Sequence, residues 1–85
     1  MKPKHISLQE FKDFFVGKLG KRILSPVPIE RICLITDAII FEEGFTYYSL
    51  YCYDIENNEK CFVSLLKEQV IELMNGGSLY WFEMI

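Results

Sequence analysis

Reactive side chains are what this sequence has least of. Its 85 residues include one histidine, His5, and three cysteines, Cys33, Cys52 and Cys61. Acid–base or nucleophilic catalysis needs a base held against a nucleophile. There is no second histidine, and no serine or cysteine sits in a nucleophile-elbow pattern. A lone histidine near the N-terminus reads as a solvated side chain. The cysteine spacing matches no metal motif and leaves an odd thiol. The expectation is therefore three buried or half-buried thiols in a reducing compartment, with no metal and no cofactor. Gly76-Gly77 is followed by neither a helix nor a lysine, so it reads as a helix stop, not a phosphate loop. These gaps argue against an enzyme.

Long apolar runs are also missing. Residues 32–35 and 38–41 are among the longest, far short of a bilayer span, so no membrane is expected. The charged start, Met1-Lys2-Pro3-Lys4-His5, is followed by no long apolar core, so it is not read as a secretory signal and the expected location is cytoplasmic. Positive charge is scarce after residue 31. Residues 32–85 carry two lysines, Lys60 and Lys67, against nine acids, whereas residues 1–31 carry seven Lys or Arg against three acids. This gradient reads either as a basic first element packed near an acidic remainder or as a bipolar surface that meets a charged partner.

What is present is a strand-rich chain with many rings. A hydrophobic fraction of 51% and a charged fraction of 25% are ordinary for a globular protein and argue against wholesale disorder. One domain, residues 1–85, is expected. A domain this small buries only about 60–65% of the surface its unfolded chain exposes. Ten of the thirteen aromatic residues lie from Phe41 onward.

Ser7-Leu8-Gln9-Glu10 is a capping box, and Ile6 with Phe11 makes a hydrophobic staple. Leu8, Phe11, Phe15 and Leu19 then share one helical face, with Gly20 placed to end the helix and Gly17 a weak point inside it. Ser25-Pro26-Val27-Pro28 reads as a stiff extended connection, with Ile23-Leu24 before it as a short edge strand. Residues 29–41 read as a strand, with Thr36-Asp37 as either a bulge or an exposed interruption. Glu42-Glu43-Gly44 reads as a three-residue loop with a glycine bulge. Residues 45–55 form the next strand, Glu56-Asn57-Asn58-Glu59 a polar turn, and residues 60–64 a third strand. A second helix is expected from Ser64 or Leu65 to Asn75, and a last strand over residues 78–85.

Those turns set a register. Phe41 faces Phe45, Ile39 faces Tyr47, Asp37 faces Ser49, Ile35 faces Tyr51 and Cys33 faces Tyr53, while Phe62 faces Tyr53. Alternation then gives one aromatic side bearing Phe41, Phe45, Tyr47, Tyr51, Tyr53 and Phe62, with Asp37 and Ser49 near its middle. The other side carries Leu34, Ala38, Ile40, Tyr48, Leu50, Cys52, Cys61, Val63 and Leu65, a floor for helices.

The fold expected is α+β, ordered α-β-β-β-α-β, with an antiparallel sheet and helix 1 on its aliphatic face. The function expected is a non-catalytic protein-binding module: a small inhibitor, adaptor or immunity-type protein of bacterial or phage origin. Its aromatic face, or the edge of the Trp81 strand, would dock another protein. Tyr47, Tyr51, Tyr53 and Trp81 would be the anchors and Asp37, Glu42 and Glu43 the rim. A homodimer burying the same face is one alternative. A nucleic-acid-binding domain using Lys2, Lys4, Lys12, Lys18, Lys21, Arg22 and Arg31 is the other.

Overall fold

The computed structural model describes residues 5–85, so Lys2 and Lys4 of the basic set lie outside the described residues. The fold is α+β: α1 (Leu8–Phe15), β1 (Leu19–Ile23), β2 (Glu30–Glu43), β3 (Phe45–Asp54), β4 (Glu59–Leu65), α2 (Lys67–Met74) and β5 (Phe82–Met84). The strands form one antiparallel sheet in the order β4-β3-β2-β1-β5.

The capping box forms as its sequence dictates. The Glu10 amide donates to Ser7 Oγ at 3.1 Å and the Ser7 amide to Glu10 Oε1 at 3.3 Å. The helix ends earlier than its periodicity suggests. Val16 is the C-cap, and Gly17 follows at φ +86°, a left-handed conformation that costs glycine little. The chain then turns straight into the sheet, with the Gly17 amide donating to Ile35 O at 2.8 Å and the Ile35 amide to Lys18 O at 2.9 Å. Gly17, not Gly20, is thus the terminating glycine.

Leu19 and Gly20 open β1, which lies between β2 and β5 and is not an edge strand. Gly20 is needed there for room: a Cβ on it would sit 2.6 Å from Phe82 Cζ. The connection from β1 to β2 contains a cis Ser25–Pro26 peptide bond.

Both hairpins are shifted from the expected register by two residues. In β2–β3 the strand continues to Glu43, and only Gly44 separates it from Phe45, so Phe41 pairs with Tyr47 and Ile39 with Ser49. In β3–β4 the turn is residues 55–58, so Tyr51 pairs with Phe62 and Tyr53 with Lys60. An even shift leaves each side chain on its own face.

The bulge has a larger effect. Ile35 pairs with Cys52 and Asp37 with Tyr51, which makes Thr36 the surplus residue, and its hydroxyl donates to Tyr51 O at 3.1 Å. A surplus residue inverts the alternation upstream of it. Cys33 and Ile35, expected among the rings, are fully buried on the helix side. Leu34, expected on the floor, pairs with Tyr53 and lies against Thr36 and Tyr51 on the other side.

Both helices cover one face of the sheet, α1 over β2 and α2 over β3. Phe11, Phe15, Val70 and Leu73 join Ile6, Cys33, Ile35, Ala38, Tyr48, Leu50, Cys52, Val63, Leu65 and Phe82 in a single buried cluster. Full burial of each large apolar side chain contributes about 1.5–3 kcal/mol. Phe11 meets Phe15 and Tyr48 edge-on at 5.2 and 5.4 Å. The last strand is shorter than expected, and Trp81 precedes it, half-buried against this cluster. Among the described residues no helix is long and apolar enough to cross a membrane.

Candidate functional site

The face without helices is built from rows of small side chains between rows of rings. Its central row is Ile39, Ser49 and Ser64, paired across β2, β3 and β4. Phe41 and Tyr47 flank it toward the β2–β3 turn, and Tyr51 and Phe62 flank it on the other side. The serines leave a hollow between the rings, a cleft of about 330 Å³. Ser49 is 3% exposed at its floor, while the surrounding Tyr47, Phe41 and Phe62 are 37%, 48% and 54% exposed. Tyr51 and Phe62 lie 5.6 Å apart with planes inclined at 57°, so the far wall is one continuous aromatic surface. The lining side chains carry no charge. Large exposed rings around a small concave floor are the composition and shape of an interface centre. Tyr53 continues the face beside Leu34, Thr36 and Lys60 in an adjoining cleft.

The expected rim divides between the two sides. The Asp37 carboxylate turns to helix 1, accepting from the Ala38 amide at 2.8 Å and from Lys12 Nζ at 3.1 Å. The Ala38 amide first, and then Lys12, holds its pKa below the ordinary carboxylate value. Glu42 lies on the helix side, in a cleft of about 550 Å³ shared with His5, Ser7 and Lys67. Glu43 pairs with Phe45 at the hairpin tip, where Phe45 is 72% exposed and 6.2 Å from Tyr47. Trp81 lies at the opposite edge of the sheet, beside Phe82 at 6.2 Å. The structure thus brings together Phe41, Tyr47, Tyr51 and Phe62, and leaves Asp37, Glu42 and Trp81 apart from them. The sequence placed Ser49 near the middle of this face, but its pairing with Ser64 into a floor emerges only once the strands are in register.

Among the described basic residues of the first third, Lys12, Lys18 and Lys21 are engaged internally. Lys21 Nζ lies 2.6 Å from Glu83 and 3.4 Å from Glu30, and those two carboxylates raise its pKa. Lys18 Nζ sits 4.1 Å over the Phe14 ring.

A second group of chemically distinct side chains lies under the sheet. Cys33 on β2, Cys52 on β3 and Cys61 on β4 point to the helix side, with all three Sγ atoms within 4.8 Å of one another. Cys52 and Cys61 are direct cross-strand partners. The Cys33 thiol donates to Gly20 O at 3.5 Å and the Cys52 thiol to Leu50 O at 3.8 Å. The neighbouring Cys52 outweighs burial and lowers the Cys33 thiol below its ordinary value. The same contact, together with burial, pushes Cys52 up, and burial raises Cys61. Linear spacing hides this group. The signal available in the sequence was that Cys52 and Cys61 flank one turn at equal parity.

Comparison with protein-family models, with curated proteins and with solved structures finds no match, so the site is read from its own geometry.

Proposed function

We propose that this chain is a non-catalytic protein-binding module that docks a partner on the open face of its sheet. The observation that carries this reading is the hollow floored by Ser49 and walled by Phe41, Tyr47, Tyr51 and Phe62 on a face that no described helix covers. An apolar or aromatic anchor from the partner fits that hollow. The tyrosine hydroxyls at its rim supply hydrogen bonds as water leaves. Glu43 and Lys60 lie at the margins, where charge sets partner choice more than affinity. An inhibitor or adaptor role fits a docking face of this kind. A reducing, cytoplasmic setting fits three thiols that lie this close and remain free.

The basic first third offers less to a nucleic acid, because Lys12 and Lys21 are held by Asp37, Glu30 and Glu83. The test is capture from host lysate with the unsubstituted chain, Tyr51→Ala and Phe62→Ala side by side, followed by affinity measurement on the recovered protein. Each truncation should weaken binding by at least about 2 kcal/mol while circular dichroism stays unchanged. Equal recovery by all three chains would remove the proposal. Sedimentation of the chain alone separates the homodimer, and a salt titration against oligonucleotides separates nucleic-acid binding.

A further inference from the structure

We propose that Cys33, Cys52 and Cys61 form a trigonal three-sulfur site for a single monovalent copper ion. Three strands each contribute one sulfur from the same face, and no pair of Sγ atoms is more than 4.8 Å apart. A first-row metal bonds thiolate at about 2.3 Å, so three sulfurs around one ion in a plane lie about 4 Å from one another. Small side-chain rotations on a fixed sheet are enough to close the difference. The sheet therefore organises most of the site before any ion arrives.

The choice of ion follows from number and kind of ligand. Soft thiolates select copper(I), zinc and iron–sulfur clusters. Structural zinc takes four protein ligands in a tetrahedron, and iron–sulfur clusters take four cysteines. Among the described residues the group contains three ligand atoms, with no histidine or carboxylate joining it. Cys33 and Cys52 are 0% and 3% exposed, which keeps water from serving as a fourth ligand on their side. Three soft donors in an apolar wall suit copper(I).

Half-buried Cys61 gives the route of entry, and it lies on the edge strand β4. The positive charge of Arg22 acts on both Cys33 and Cys61, while Asp54 acts on Cys33 with the opposite sign. In the binding step three S–H protons pass to solvent and three Cu–S bonds form. Copper stays monovalent, so no electron changes hands.

The test uses the full, reduced chain under anaerobic conditions, titrated with copper(I) held by a chromogenic competing chelator. The expected result is withdrawal of one copper per chain, a new near-ultraviolet thiolate-to-copper absorption, and protection of all three thiols from alkylation as counted by mass. Loss of one ligand should weaken binding by more than the roughly 100-fold that supporting residues can cost, so Cys61→Ser should fail to compete with the chelator. Cys61 is the position of choice because it is the least buried of the three, and circular dichroism checks that the variant folds. The alkylation count on the unsubstituted chain needs no variant. Failure of the chain to take copper from the chelator would overturn the site. So would Cys61→Ser binding as tightly as the unsubstituted chain, protection of only two thiols, or stoichiometric zinc binding where copper(I) is refused.

Discussion

The two faces of this sheet are made from the same strands and obey opposite rules. On the covered face, aliphatic side chains and thiols lie flat beneath Phe11, Phe15, Val70 and Leu73, and the rings meet edge-on. On the open face, rings stand around serines and stay one-third to one-half exposed. On β3, Tyr48, Leu50 and Cys52 serve the interior, while Tyr47, Ser49 and Tyr51 serve the outside. The covered face is sealed by packing within the chain. The open face also carries large apolar side chains, but the two helices pack on the other side and leave them exposed. Its hollow between rings makes it a candidate for contact with another molecule, since apolar content alone is common on protein surfaces.

Substitutions can break or sharpen this contrast. The largest effect should come from Phe15→Ala, which removes a fully buried ring and costs about 3–5 kcal/mol of folding stability in chemical denaturation. Phe62→Ala, the same chemistry on the open face, should cost at most about 1 kcal/mol, the value of a cross-strand pair. Similar losses at both positions would erase the distinction. Gly20→Ala comes next: the added methyl meets the tip of the Phe82 ring, and overpacking of this kind costs about 1–3 kcal/mol, read as a lowered denaturant midpoint. Ser7→Ala removes the cap of the helix lying over β2 and should cost about 1 kcal/mol.

The smallest effect belongs to Asp37, which joins helix 1 to the strand at the surface. Its folded pKa lies below the ordinary value, so it stabilises the fold above the unfolded carboxylate pKa. That contribution fades as pH falls through the folded one. Denaturation midpoints from neutral to acid pH should show a shallower acid decline for Asp37→Asn. An unchanged slope would mean that neither the Ala38 nor the Lys12 contact of this carboxylate contributes measurably.

Much of the architecture can be read from local chemistry. The capping box, a polar turn, a second helix and the strands on either side of that turn rest on neighbouring residues and all form, although the turn is residues 55–58 and the helix starts at Lys67 because Ser64 and Leu65 stay in β4. What could not be read depends on contacts between distant parts. Helix 1 stops at Val16 because Gly17 is captured by Ile35, a contact across the sheet. Trp81 looked like a strand residue, but only Phe82–Met84 pair in register with β1, and Trp81 keeps a single bond to it, its carbonyl accepting from the Ile23 amide. The faces of β3 and β4 were legible because a shift by two keeps side-chain parity. The face of the first half of β2 was not, because Thr36-Asp37 allowed two readings and pairing alone selects the bulge. The hollow and the thiol group share that origin, since each is assembled from strands far apart in sequence.

Thr36 therefore acts as a phase change within a single strand. Upstream of it odd-numbered residues look inward, and downstream of Asp37 they look outward. Without that one additional residue Cys33 would sit among the rings and the sulfur trio would lose its third member. A chain that drifted by one position here would forfeit its interior chemistry and rewrite its exterior in the same stroke.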